Sequence, residues 1–248
     1  MSRISKVTYV GLSLVAVGLM VVPSAAVAAT NEGTFCTNLS SIINTVNAGV
    51  SNQEAKLTQA FSNRTSTFTS NHDKWDSELA AKRAEWDTTR QADFTKLEAK
   101  ATTDAEKAAV TAYEAAVNKA VAARRSANDA ARATFRAGVQ GVISGRQATI
   151  LSQLTAFKTA VTAAETTAQN SCSATPTQSA TIRVTFRGAL KTARETYTAA
   201  RKDDAKVGDQ VKALAQARNA AEQANDAAFK TAMRSARQTL EAAFKSGL

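Results

Sequence analysis

The chain has 248 residues, 31 Lys+Arg against 21 Asp+Glu for a formal charge of +10, one histidine, two cysteines and two prolines. So few histidines and cysteines cannot supply the converging polar groups that a general base, an activated nucleophile or a metal centre requires. No catalytic, cofactor or metal site is therefore expected, no small-molecule substrate, and no enzymatic activity.

The N-terminus has the three parts of a secretory signal. Arg3 and Lys6 precede an apolar stretch, Val7 to Val22, which Pro23 ends before the small residues from Ser24 to Ala29. Ala26-Val27-Ala28 and Val27-Ala28-Ala29 both fit a cleavage site, so residues 1–29 are read as a signal peptide cut after Ala28 or Ala29. The apolar stretch falls short of the roughly 20 residues a spanning helix needs. No later segment is apolar enough to span, so residues 30–248 are expected as one soluble domain outside the cytoplasm, in the periplasm, at the cell surface or in the extracellular space.

The mature part has a single proline, Pro176, and is rich in alanine, Lys, Arg, Glu and Gln. These residues lose little rotamer freedom in a helix. Without period-2 alternation or an Asn-Gly or Asp-Gly turn, nothing reads as a strand, and the expected fold is all-α. Thr103-Asp-Ala-Glu106 is a capping box. Thr175-Pro176-Thr-Gln178 places a capping hydroxyl before a proline at the first helical position, and Lys245-Ser-Gly247 suits a helix end. These signals divide the chain into helical segments of about 34–102, 103–171 and 175–247.

Cys36 and Cys172 lie equally far from residue 104. A chain that runs up, turns there and returns brings the thiols together, and two cysteines in an oxidising compartment pair. The expectation is an elongated three-helix bundle, up-down-up, closed by a Cys36–Cys172 disulfide. A bridge between two copies is the competing arrangement. Three weak stretches, 62–73 (Ser, Asn and Thr), 135–146 (Gly138, Gly141 and Gly145) and 202–213, fall at one height in that path. They predict a mid-length hinge or, alternatively, turns that break the path into five or six shorter helices.

Apolar residues in the first segment, Phe61, Phe68, Trp75, Leu79, Trp86 and Leu97, read as a core stripe. Arg64, Trp75, Trp86 and Leu97 share an 11-residue step that marks a nearly straight helix. Ile182, Phe186, Ala189, Ala193, Tyr197 and Ala200 form the corresponding face of the third segment. His72, beside Asp73 in a weak stretch, is expected to face solvent.

Charge is uneven. Removing Arg3 and Lys6 leaves 29 basic and 21 acidic groups, and residues 173–248 hold 13 of the former and 7 of the latter. Arg183, Arg187, Lys191, Arg194 and Arg201 fall within about 80° of one helix circumference. They are expected either to pair with carboxylates of the first helix while their stems cover apolar surface, or to bind a linear polyanion such as extracellular nucleic acid or an anionic wall polymer. The sequence thus points to an exported, non-enzymatic helical structural or interaction protein of the cell envelope or extracellular space. Its partner would be a protein or anionic polymer at the cell surface. Alternatives are a polyanion-binding protein, a membrane-active amphipathic protein that contacts lipid without spanning it, and a periplasmic holdase.

Overall fold

A computed structural model of the chain describes residues 34–202 and 207–246. The signal segment, the Asp203–Lys206 part of the third weak stretch and the Gly247 cap lie outside them. Among the described residues there are four long helices, α1 Phe35–Glu98, α2 Asp104–Ala174, α3 Ser179–Lys202 and α4 Val207–Ser246, and no strand. At 64 and 71 residues, α1 and α2 run unbroken, so the first two segments do not break into shorter helices. The soft residues of α1 and α2 weaken a helix without ending one. Gly141 and Gly145 each cost about 1 kcal/mol against alanine, and neither has a neighbouring chain where a Cβ would stand.

The turn between α1 and α2 is built as its sequence predicts. Thr103 N–H donates to Glu106 Oε2 at 2.9 Å, and Glu106 N–H donates to Thr103 Oγ1 at 3.2 Å. Thr102 adds its backbone N–H and its hydroxyl to the same carboxylate oxygen. These donors, the Thr103 backbone first, hold the Glu106 carboxyl below its ordinary range. The second start differs from its reading: Thr175 makes no side-chain cap, and residues 176–178 form a 3₁₀ turn before α3. Its hydroxyl instead donates back to Ser171 O at 3.1 Å, finishing α2. Ser179 acts as a cap in its place, for a different helix. Its Oγ accepts from Cys36 N–H at 3.2 Å, one of the donors that the first turn of α1 leaves without an intrahelical partner.

The chain forms two compact units, one of residues up to Thr65 with Ile143–Gly208, the other of Ser66–Val142 with Asp209–Leu248. The divisions fall inside all three weak stretches of the sequence. In each unit one part of α1, one part of α2 and one further helix make up the bundle.

The first, which we call the disulfide unit, holds the apolar core. Phe35, Leu57, Leu154 and Phe186 are all at most 2 % exposed, and Cys36 and Cys172 are packed against this core. The two cysteines are joined, with Cα atoms 5.4 Å apart. Phe35 meets Phe186 at 5.8 Å between ring centroids, and Phe157 meets Tyr197 at 5.6 Å. Ile182, Phe186, Ala193 and Tyr197 are buried as their spacing predicts; Ala189, assigned to the same face, is exposed.

In the second, the ladder unit, the seam of α1 runs through Phe68, His72, Asp76, Leu79, Arg83, Asp87, Arg90, Phe94 and Leu97, each less exposed than its neighbours. Only Phe94 among these is buried. Charged pairs occupy much of the remainder. Arg136 grips Asp76 with both Nη atoms. Arg83 grips Asp129 at 2.7 and 2.8 Å, and Arg125 grips Asp87 at the same two distances. Towards α4, Arg124 reaches Asp226 at 2.7 Å, Arg132 reaches Glu222 at 3.3 Å, and Asn225 donates to Asn128 at 2.8 Å. α4 comes close at Gly138: a Cβ there would stand 2.6 Å from Leu214 Cδ2.

Both tryptophans lie off this seam, against the expectation that they belong to the core. Trp75 is 37 % and Trp86 55 % exposed. Trp75 is roofed by Arg132 and Arg136, whose guanidinium carbons stand 4.6 and 5.9 Å from the ring centroid. The 11-residue step picked out a true helical face. Periodicity favoured it because the real seam is written in Asp and Arg, which carry no hydrophobic signal. His72 is half-buried, not solvent-facing, with its ring edge-on to Phe68 at 4.3 Å. Burial first, then the Arg136 charge, lowers its pKa.

Candidate functional site

The five basic residues singled out from sequence all lie on α3, and α3 belongs wholly to the disulfide unit. Ile182, Phe186, Leu190, Ala193 and Tyr197 bury one face of this helix. The basic side chains follow that face on one flank, over an axial run of about 27 Å from position 183 to 201. Arg187 and Lys191 are exposed; Arg183, Arg194 and Arg201 are half-buried. Arg201 Nη1 donates to Tyr197 Oη at 3.1 Å, and its guanidinium leans over the same ring. Lys191 has a helix-surface contact with Glu195 at 3.7 Å.

Pairing with carboxylates of the first helix has little material. Across residues 35–65 of α1 the only acidic residue is Glu54, and Lys158 of α2 takes it at 2.8 Å. Glu165 of α2 is bound to Asn47, and burial raises its pKa, which disfavours its charge. Neither Arg187 nor Arg194 has an ion pair among the described residues. Over the described residues of this unit, ten basic groups face three acidic ones, whereas residues 66–142 with 209–246 carry 18 basic and 15 acidic. Over those described residues the net charge is +7 in the disulfide unit and +3 in the ladder unit; Glu32, Asp203, Asp204 and Lys206 of the sequence bring the former to +5 in the mature chain. Arginine is matched to aspartate in the ladder unit, whereas Arg187 and Arg194 of the disulfide unit have no ion pair among the described residues.

The opposite flank of α3 faces α2 across a groove of about 730 Å³ that the sequence reading did not anticipate. Ala160, Ala163 and Thr167 of α2 oppose Thr185, Ala189 and Thr192 of α3, and no charged side chain lines it. The signal for it was present. From Thr159 to Ile182 the only charged residue is Glu165, an unusually long charge-free run for solvent-facing helix.

Among the described residues no group of three or more His, Cys, Asp or Glu side chains is placed to hold a metal ion, and no helix is long and apolar enough to cross a membrane. No protein-family model matches the chain, and neither a curated protein nor a solved structure is significantly similar to it. The disulfide implies an oxidising environment, outside the cytoplasm.

Proposed function

We propose that this protein is an exported, non-enzymatic helical interaction protein of the cell envelope or extracellular space, and that it engages anionic polymers through α3. The observation that supports this reading is the segregation of charge. Among the described residues Arg187 and Arg194 have no ion pair, on a helix whose basic residues form one continuous flank, and the described residues of their unit carry +7. A solvated face built only for solubility mixes both signs; among the described residues Glu195, beside Lys191, is the one carboxylate on this helix. A row of cations spread over about 27 Å of rigid helix fits a linear chain of phosphates or carboxylates, because each contact releases condensed counterions. The disulfide ties the start of α1 to the end of α2 beside the first turn of α3, and so supports a fixed platform for that row.

The test is a salt titration of binding to duplex DNA and to an acidic wall-type polymer, using the oxidised mature chain. Affinity is expected to fall steeply between 50 and 200 mM salt, by about tenfold or more for several phosphate contacts, and to collapse in the Arg187→Glu/Arg194→Glu variant. Binding that ignores both salt and charge reversal removes the polyanion reading. Fractionation of the native host checks export separately: the protein belongs outside the inner membrane, and recovery from the cytoplasm with its N-terminus intact contradicts the reading.

A further inference from the structure

We propose that His72 is a pH-sensing residue of the ladder unit, which loosens the docking of α4 onto α1 and α2 in mildly acidic surroundings by competing with Arg136 for Asp76. The device is independent of polyanion binding, and all of its parts belong to one unit. His72 is the only histidine in the chain, and histidine is the side chain whose ordinary pKa lies between pH 5 and 8. It sits half-buried on the seam of α1, its ring edge-on to Phe68 at 4.3 Å. The charges that act on it come from three helices: Asp73 and Asp76 of α1, Arg136 of α2 and Arg218 of α4. Arg218 is held over the Phe135 ring, 4.7 Å from its centroid. Arg136 is two positions from Gly138, where Leu214 of α4 packs so closely that a Cβ would stand 2.6 Å from it. Val211 and Ala215, on either side of Leu214, are buried.

Spacing decides which carboxylate can answer a proton on the imidazole. Asp73 is the next residue along, and side chains at i,i+1 do not face each other on a helix, whereas Asp76 at i,i+4 shares the face of His72. Asp76 is already taken, since Arg136 holds both of its oxygens with its two Nη atoms. A neutral ring leaves that grip intact. An imidazolium adds a third cation to Arg136 and Arg218, and it gains its one facing carboxylate only if Arg136 gives up an oxygen. Arg136 also leans over Trp75, with its guanidinium carbon 5.9 Å from the ring centroid, so the exchange disturbs the arginine roof. Repulsion of Arg218 acts on α4 directly. Burial first, then the Arg136 charge, keeps the His72 pKa below its ordinary 6.5. The fold therefore favours the neutral ring: its contribution is complete above 6.5 and is lost as pH falls through 6.5 and on through the folded value. Asp76, Asp87 and Asp129 are all lowered and stay ionised down to pH 5, so this window separates the histidine from the carboxylate ladder.

The experiment follows the oxidised mature chain from about pH 7.5 to 5.0 with three readouts. The ring-proton resonance of the single histidine gives its titration midpoint. Hydrogen exchange, corrected for the intrinsic pH dependence of amides, gives protection along α4. Fluorescence in a Trp86→Phe background reports Trp75. Protection of residues 209–222 is expected to fall at least about twofold, within a ceiling of about tenfold for each unit by which the midpoint lies below 6.5. Trp75 emission is expected to change with the midpoint of the imidazole, while residues 179–202 keep or gain protection. His72→Gln is expected to abolish the α4 and Trp75 responses. Loss of the fold in that variant is resolved by His72→Phe, which keeps a ring beside Phe68 and must likewise lose both responses. A histidine midpoint at or above 6.5, protection of α4 that does not change, a Trp75 midpoint apart from that of the imidazole, or responses that persist without the histidine would each overturn the proposal.

Discussion

In the disulfide unit α1 turns Leu39, Ile42, Val46, Val50 and Leu57 inward; further along the same helix, the seam of the ladder unit presents His72, Asp76, Arg83, Asp87 and Arg90. One continuous helix thus meets its neighbours through hydrocarbon in one unit and through ion pairs interleaved with Phe68, Leu79, Phe94 and Leu97 in the other. The apolar core gains from every square ångström removed from water, at about 25 cal/mol. The ladder gains from bidentate Arg–Asp geometry, which is directional and orders the register, yet half-exposed pairs add little net stability. The disulfide unit should therefore be the durable half of the molecule and the ladder unit the conditional half, with register specified by its charges and by Asn128–Asn225.

The largest expected effect comes from the crosslink. Cys36→Ser/Cys172→Ser, which opens a loop whose ends are 136 positions apart, is expected to lower stability by up to about 5 kcal/mol in the chain-entropy account, read by denaturant unfolding. Next is Phe186→Ala, which truncates a side chain only 2 % exposed and is expected to cost about 3–5 kcal/mol. Asp129→Asn in the ladder is expected to cost less than either, and its penalty should shrink in 1 M salt, where the Debye length is about 3 Å.

Acid separates the units by sign. Hydrogen bonds from Arg125 first hold Asp87 down to about 2, and those from Arg136 and Arg83 lower Asp76 and Asp129. A carboxyl depressed in the fold stabilises above its unfolded pKa, near 4, and loses that contribution as pH falls through its folded value. Glu165, raised by burial, works the other way: its unfavourable charge is relieved as pH falls through its raised folded pKa towards the ordinary value. Lowering the pH from 5 to 2 is therefore expected to loosen the ladder unit, whereas the relief at Glu165 in the disulfide unit is complete once the pH has reached the ordinary glutamate value of 4.5. Both tryptophans lie in the ladder unit, so their fluorescence should report loss of the arginine roof over Trp75 while Phe35, Phe157 and Phe186 stay packed. Simultaneous loss of both would break the comparison. The smallest effect is a gain: Gly141→Ala, in open space, should stabilise by about 0.5–1 kcal/mol, whereas Gly138→Ala must displace Leu214 and return less.

The fold was legible wherever one residue type has one physical role. The capping box at Thr103 and Glu106, the matched arms of Cys36 and Cys172, and the stripe from Ile182 to Tyr197 all have local causes. The tryptophans misled because hydrophobicity was taken as the mark of a seam, and the ladder writes its seam in Asp and Arg. Thr175 misled because a hydroxyl beside a proline can close the preceding helix as readily as it opens the next. The basic flank of α3 was visible as a period, but the scarcity of carboxylates facing it became apparent only once Glu54 was seen paired with Lys158. The groove was missed because alanine and threonine look inert one at a time.

The most direct test of two units with different adhesion is hydrogen exchange at pH 7, followed by mass spectrometry, in 0.1 M and 1 M NaCl. Raising the salt should lower protection across residues 66–98, 104–142 and 209–246, and leave residues 35–65, 143–174 and 179–202 unchanged or better protected. Equal loss in both units, or loss confined to the disulfide unit, would contradict the account.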